Sequence, residues 1–380
     1  MQNFSIDDQK YMARALNLAR RGEGSTSPNP MVGAVVVKDG EIIGEGYHKQ
    51  YGGPHAEVFA LQAAGEKAAG ADIYVTLEPC SHYGKTPPCA QKVIDSGIKR
   101  AVIAMVDPNP EVAGRGIEML REAGIEVEVG LFKKEAEELN ESFLKYIQSD
   151  YPFVYLKKAQ TLDGYIASST GDSKWITNSS ARLEGHKLRH RVDAIMVGIG
   201  TVLADNPSLT ARPEEKEGID PLRVILDPLL DMPLTAKIIN QKSEADTLII
   251  CSEEFPAERS ESFFKKKEEL IQRKKVQLMS LKTDADYYFD LKKVLKTLHQ
   301  QNISSVLVEG GARLSHTFLK EDLVDKFYYF IAPKIYGGSD GIASFCGSGP
   351  ELMSEAVELK IIEQKKLGDN LLLIAERIRN

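Results

Sequence analysis

A mixed α/β fold in two unlike halves is the architecture this chain predicts, and three observations predict it. Strand-like apolar runs alternate with helical stretches, the pattern of βαβ units with a largely parallel sheet between helices. At 380 residues the chain is long for one compact domain and comfortable for two. At Asp150-Tyr151-Pro152 a helical stretch meets a proline that ends it and restarts the chain as extended. The halves on either side do not resemble each other, and no tandem repeat runs through them. Domains are therefore expected over 1–148 and 149–380.

Taken in order, residues 5–21 read as a helix. Ser5 stands three before Asp8, Met12, Ala15, Leu16 and Ala19 follow helical spacing, and Gly22 stops it. Residues 32–37 form a strand, which Lys38-Asp39-Gly40 turns as a hairpin into Glu41-Ile42-Ile43. A helix from about His55, a strand over 73–77, a helix from about Cys89 and a strand over 101–106 follow. A helix over 116–123, a strand over 125–129 and one Glu/Lys-rich helix over 133–147 close the first half. The second half opens with Phe153-Val154-Tyr155-Leu156 and continues through strands over 194–197, 223–226, 247–250, 306–308 and 327–331. The charged stretch over 253–275 reads as a solvated helix face and loop.

Composition excludes several classes. With 42% hydrophobic and 27% charged residues the chain is an ordinary soluble globular protein. The start Met1-Gln2-Asn3-Phe4-Ser5 has no basic patch before an apolar core, and no apolar run approaches a membrane span. A net charge of -7 argues against nucleic-acid partners, which select for a basic stripe. Four cysteines make no disulfide framework, and reduced thiols fit a cytoplasmic location. Cys251 reads as a buried strand residue, and Cys346 is assigned nothing.

Chemistry concentrates in His55-Ala56-Glu57, Pro79-Cys80 and Cys89. One imidazole and two thiolates supply three zinc ligands and leave a fourth position for water, the arrangement of a catalytic site. Glu57 is spare as a proton shuttle, and H-x-E…P-C is the signature of zinc deaminases that act on nucleobases. Both metal-bearing segments open helices, where the positive helix end favours thiolate over thiol. The alternative is a closed structural zinc with His48 or His82 as fourth ligand, but paired C-x₂₋₄-C knuckles are absent. The cysteines are separated by eight residues, 81–88, rather than by two.

The stretch Thr76-Leu77-Glu78-Pro79-Cys80-Ser81-His82-Tyr83-Gly84-Lys85-Thr86-Pro87-Pro88-Cys89 resembles the deaminase domain of the bifunctional riboflavin-biosynthesis family RibD (RibG). Pro28-Asn29-Pro30-Met31-Val32-Gly33 and Gly44-Glu45-Gly46-Tyr47-His48 match it too. The resemblance implies a cytidine-deaminase-like three-layer first domain, with Asn29, His48 and Lys85 contacting substrate. Lys85, between two ligands, is well placed for a phosphate, although a loop lysine is by default solvated. Asn29 could equally be a turn former between prolines, and His48 a hydrogen-bonded histidine at a strand end.

In the second half no G-x-G-x-x-G fingerprint appears. Val197-Gly198-Ile199-Gly200-Thr201 and Val308-Glu309-Gly310-Gly311-Ala312-Arg313 are short glycine turns from strand into helix, whose N–H groups could cradle dinucleotide phosphates. With Thr161-Leu162-Asp163-Gly164, Asp172-Ser173-Lys174-Trp175-Ile176-Thr177 and Ala204-Asp205-Asn206-Pro207-Ser208-Leu209-Thr210, they resemble the family's reductase domain. That resemblance implies a dihydrofolate-reductase-like fold using NADPH. Ala159, Trp175, Thr201, Asp205 and the turn Gly311, Ala312, Arg313 would line the cofactor site. Ser173, Arg189, Leu209, Arg212 and Glu309 would face substrate, and Lys157 matches a lysine beside it. Arg189 and Arg212 suit a phosphate chemically, yet Arg189 also sits in the charged run His186, Lys187, His190, Arg191. Lys157, Asp205 and Glu309 are the candidates for proton donor. Gln160 and Tyr165 stand where relatives often carry Ala and Lys or Arg.

Together these imply zinc-dependent deamination of a diaminopyrimidinone ribosylamino 5′-phosphate, then NADPH-dependent reduction of the aminouracil's ribose to ribityl. The partner is a small phosphorylated pyrimidine, in a homo-oligomer that family resemblance makes a tetramer. Rival readings are a base deaminase acting on nucleic acid, and a deaminase whose second domain only senses a ligand.

Overall fold

Twin glycine-lined strands let helices press directly on the first sheet. The computed structural model describes residues 4–81, 88–109, 113–214 and 218–378. The chain divides into two compact units, Met1–Asp150 and Tyr151–Asn380. The first unit runs α1 (Ile6–Ala19), β1 (Gly33–Lys38), β2 (Glu41–Tyr47), α2 (Ala56–Ala64), β3 (Asp72–Val75), α3 (Cys89–Asp95), β4 (Arg100–Ile103), α4 (Arg115–Glu122), β5 (Glu126–Val129), α5 (Lys133–Leu139) and α6 (Glu141–Gln148). Ser5 and Asp8 close a reciprocal capping box at the start of α1. Asp39 and Gly40 take the positive φ of 52° and 79° that a tight hairpin turn needs. The sheet order is β2-β1-β3-β4-β5. β1 is antiparallel to both neighbours, while β3, β4 and β5 run parallel. The apolar side chains of β1, β3 and β4 form the core with those of α1, α2 and α4.

The second unit runs β6 (Phe153–Thr161), β7 (Tyr165–Ala167), α7 (Ser179–Arg191), β8 (Ala194–Gly198), α8 (Ile199–Asp205), β9 (Leu222–Leu226), α9 (Lys237–Asn240), β10 (Thr247–Ser252), α10 (Ser260–Ile271), β11 (Val276–Leu281), α11 (Leu291–Gln300), β12 (Ser305–Glu309), α12 (Ala312–Lys320), β13 (Lys326–Ala332), β14 (Ile342–Ala343), β15 (Leu359–Leu367) and β16 (Asn370–Arg377). Nine strands make one sheet in the order β11-β10-β9-β8-β12-β6-β13-β16-β15. All pairs are parallel from β11 to β13, and the last two strands return antiparallel. A core lies on each face of this sheet.

Three elements differ from expectation. The single helix over 133–147 is two, broken at Asn140, whose side chain leaves its own helix to pair with both backbone groups of Met31 (Oδ1 accepts from N at 2.8 Å, Nδ2 donates to O at 3.0 Å). Of the charged stretch over 253–275, α10 is helical and not wholly solvated: it buries Phe263 and Leu270, and Phe263 stacks on Phe255 at 4.2 Å. The hairpin β15–β16 had no clear pattern, because one of its strands is almost entirely exposed and charged. No helix among the described residues is long and apolar enough to cross a membrane.

Asn140→Ala would strand the N–H and C=O of Met31, at about 1–3 kcal/mol for each buried group left unpaired. A loss of about 3 kcal/mol is expected in urea unfolding of the first unit; a loss below about 1 kcal/mol would mean water replaces the amide.

Candidate active sites

The first site forms where α2 and α3 begin, beyond the ends of the sheet strands. His55 is the N-cap of α2, Glu57 lies in its first turn, and Cys89 opens α3. Nδ1 of His55 lies 3.2 Å from Sγ of Cys89 and 3.6 Å from Sγ of Cys80. These three are the group of metal-ligating side chains found among the described residues, with all ligand atoms within 4.8 Å of one another. The N–H of Cys89 donates to Sγ of Cys80 (3.2 Å). The Cys89 thiol first, then His55, hold the Cys80 thiol below its ordinary range against burial, and so favour thiolate there. Glu57 is buried, and its Oε2 has no hydrogen-bond partner in the structure. Burial pushes its carboxyl up to about 7, with the His55 charge opposing.

His48 is not a fourth ligand. Its Nδ1 faces the carbonyl of Pro54 at 3.0 Å, which can only accept, so Nδ1 carries the proton and Nε2 accepts. Nδ2 of Asn29 lies 3.2 Å from that Nε2 and donates to it. Burial pushes His48 down and keeps the ring neutral. The His48 ring meets that of His55 edge-on, with centroids 5.5 Å apart, so Asn29 and His48 stand beside the metal-ligating trio. Lys85 and His82 lie outside the described residues.

The second site is a cleft of about 2080 Å³ wholly within the second unit. It is lined by Lys157, Ala159, Ser173, Trp175, Arg189, Thr201, Asp205, Leu209, Arg212, Glu309, Gly311, Ala312 and Arg313, every second-half residue expected there. Gln160 and Tyr165 are not among its lining residues. Gln160 instead accepts from the Ser344 hydroxyl, and Tyr165 packs on Tyr336 with ring centroids 5.1 Å apart. Leu209 is 4% exposed and belongs mostly to the core.

At the end of β12 an ion triad forms. Arg189 grips Glu309 through Nε–Oε1 (2.9 Å) and Nη2–Oε2 (2.7 Å), while Nζ of Lys157 lies 3.9 Å from Oε2. Nη1 of Arg189 donates to the carbonyl of Thr210 (3.2 Å), so three of its N–H groups are already spent. Arg212 is exposed, with no ion pair among the described residues. Burial alone would raise the Glu309 carboxyl, but Arg189 and Lys157 outweigh it and hold it down to about 2. Burial pushes the Lys157 ammonium down, against Glu309.

Beside the triad lies the glycine turn. The N–H of Gly311 donates to Oγ1 of Thr201 (3.2 Å), and Nζ of Lys158 holds the carbonyl of Gly310 (2.8 Å). A Cβ on Gly310 would fall 2.9 Å from Oγ1 of Thr201, and its φ is +151°. Gly311 caps α12 with no side-chain acceptor. The Trp175 ring lies under the Arg182 guanidinium at 4.4 Å. Among the lining residues that the sequence reading did not assign to the site are Lys158 and His186. His186 shares the Thr210 carbonyl with Arg189 (Nδ1 at 3.0 Å). Its spacing of three from Arg189 on one helix face was the available signal.

The comparisons with known proteins speak to both units. The family described as RibD C-terminal domain matches residues 152–373, and the one described as cytidine and deoxycytidylate deaminase zinc-binding region matches residues 5–105. The chain is 47% identical to the riboflavin biosynthesis protein RibD of Aquifex aeolicus, over 97% of this chain and 98% of that one. The chain belongs to the RibD family. The RibD of Escherichia coli is 41% identical over 97% of this chain and 99% of its own. Among solved structures, RibD of Acinetobacter baumannii superposes with a TM-score of 0.85 at 39% identity, covering 98% of this chain and 99% of that one. A diaminohydroxyphosphoribosylaminopyrimidine deaminase/5-amino-6-(5-phosphoribosylamino)uracil reductase of Thermotoga maritima does so at 0.83 and 38% identity, with the same coverage. RibD membership makes the chain a bifunctional enzyme of riboflavin biosynthesis, with a zinc-binding-type deaminase domain and a reductase domain of dihydrofolate-reductase-like fold.

The Glu309 carboxyl, at about 2 in the folded chain against an ordinary 4.5, contributes stability above pH 4.5 that is lost as pH falls from there towards 2. Glu309→Gln is expected to cost on the order of 3 kcal/mol at neutral pH. The gap in unfolding free energy should close across that window; a gap independent of pH would mean that the charge is not what matters.

Proposed function

We propose that the chain carries out two successive reactions on one phosphorylated pyrimidine. The first unit would hydrolytically deaminate a diaminopyrimidinone ribosylamino 5′-phosphate, and the second would reduce the ribose of the resulting aminouracil to ribityl with NADPH. The observation that carries this reading is the convergence of His55, Cys80 and Cys89 beside a buried Glu57 whose Oε2 has no hydrogen-bond partner.

His55, Cys80 and Cys89 would hold zinc. The donor set fits: one imidazole and two sulfurs, one already favoured as thiolate, with no fourth ligand beside them among the described residues. When bound, zinc acidifies water so that a nucleophile is available near neutral pH. Glu57 would take a proton from the attacking water and hand it to the ring nitrogen, then take the hydroxyl proton of the tetrahedral carbon and deliver it to the departing amine, leaving a carbonyl and ammonia. A carboxyl titrating near neutrality suits both transfers. Asn29 and His48 would orient the pyrimidine, with Lys85 on the phosphate.

In the second unit Ala159, Trp175, Thr201, Asp205 and the turn Gly311–Arg313 would hold NADPH. The N–H of Gly311 is held by Thr201, and the uncapped start of α12 turns the N–H groups of Ala312 and Arg313 towards the cofactor's phosphates. When bound, NADPH supplies hydride. Opening the ribosylamine ring needs a proton at the ring oxygen. Glu309, kept anionic by Arg189 and Lys157, cannot give it, so that task falls to the Lys157 ammonium. Glu309 and Ser173 would position the sugar. Arg212, exposed and with no ion pair among the described residues, takes the phosphate, and Arg189 holds Glu309 while keeping spare donors for substrate.

Mass spectrometry of products from the diaminopyrimidinone substrate, with and without NADPH, tests the assignment. Amine-to-carbonyl exchange should need no cofactor, and the ribityl product should need it; substrate unchanged with zinc bound would reject the reading. Glu57→Gln should retain zinc, lose deaminase turnover roughly 10²- to 10⁴-fold, and still reduce pre-deaminated substrate. Arg212→Ala should raise the reductase KM for the phosphorylated substrate about tenfold with little change in kcat. An unchanged KM would move the phosphate elsewhere.

A further inference from the structure

We propose that Glu78 is a positioning residue of the metal site, aiming Cys80 at His55 and Cys89; this rests on the zinc reading of that trio. Glu78 is 3% exposed, and its carboxylate accepts four backbone N–H groups. Oε2 accepts from Asp107 (3.1 Å) and Gly114 (3.0 Å), and Oε1 accepts from Gly116 (2.8 Å) and Ile117 (3.2 Å). Four such bonds fill the acceptor capacity of both oxygens.

The donors come from the segment after β4 and from the start of α4. The N-cap of α4, Gly114, has no side chain to accept from that first turn. Glu78 supplies the acceptor from 36 residues earlier in the chain and places its negative charge at the positive end of the helix. Its own N–H donates to the carbonyl of Met105 (3.0 Å), so backbone and side chain are both tied down.

The next residue is clamped as well. A Cβ on Gly116 would stand 2.0 Å from the carbonyl oxygen of Pro79, so α4 touches the chain there backbone to backbone. Cys80 follows directly, with its carbonyl accepting from Ala90 (3.2 Å) and its sulfur accepting from Cys89 (3.2 Å). The thiolate thus hangs between a clamp on α4 and a clamp on α3. A carboxylate is the group this place requires: all four neighbours are donors, and a glutamine would turn its NH₂ towards two of them.

The test uses the full chain. Zinc retention is measured by competition with a chromophoric chelator, and the cobalt-loaded protein is read for its sulfur-to-cobalt charge-transfer band. Glu78→Gln is expected to weaken zinc binding roughly 10- to 100-fold and to shift that band. Its far-UV circular dichroism and NADPH-dependent reductase activity should stay as in the unaltered chain. Gly116→Ala, which keeps the carboxylate but pushes α4 off Pro79 and crowds Oε1 of Glu78 (3.2 Å from the added Cβ), should act in the same direction and carries the test if Glu78→Gln does not fold. Zinc binding and cobalt band unchanged in a folded variant, even one that melts earlier, would overturn the proposal and leave Glu78 a brace for α4. Cys80→Ala is the reference: if it too leaves zinc binding unchanged, the zinc reading itself has failed, separately from the role of Glu78.

Discussion

The approach of helix α2 to strand β2 sets the geometry of the deaminase unit. Side chains on Gly44 and Gly46 would place a Cβ 2.2 Å from the carbonyl oxygen of Ala60 and 2.3 Å from that of Ala56. Helix and strand therefore meet backbone to backbone, which glycine alone allows. On the other face of the hairpin Gly33 meets α1 in the same way, 2.0 Å from the carbonyl oxygen of Ala15. His55 and Glu57 ride on the first turn of α2, so this contact decides how far they stand from the two sulfurs. A shift of one ångström is a large fraction of the 3.2 Å between Nδ1 of His55 and Sγ of Cys89.

The two sites handle buried charge in opposite ways. In the first, Oε2 of Glu57 is left without a hydrogen-bond partner, and desolvation pushes the carboxyl up to about 7. In the second, Glu309 is as deeply buried but gripped by two cations, and desolvation is overcome. One carboxyl is poised to move protons and the other to stay charged. Such a triad is costly to bury, and it holds Lys157 and Arg189 on one side of the cleft.

Much of the fold could be read from local signals. The capping box of α1, the Asp39-Gly40 turn and the alternation of strands and helices each depend on neighbours within a few residues, and each appears as expected. The break at Asn140 could not be read, because nothing in Glu137-Glu138-Leu139-Asn140-Glu141 interrupts helical spacing. It arises from a pairing with Met31, 109 residues away. Strand β15 was hidden because it is exposed along most of its length, with Ile361 and Ile362 side by side among charged residues rather than in an apolar alternation.

At the sites the division is similar. By itself the sequence determined the reacting groups: imidazole, thiols and a spare carboxylate, arginines suited to phosphate, and glycine turns that open helices. Those are properties of residue type and short spacing. Only the tertiary structure decided which charges are free. It paired Arg189 with Glu309 across 120 residues, gave Arg212 no ion pair among the described residues, and turned Glu78 onto the start of α4. The reason is geometric, since partners so distant in sequence meet only through sheet order and helix packing, which no local pattern encodes.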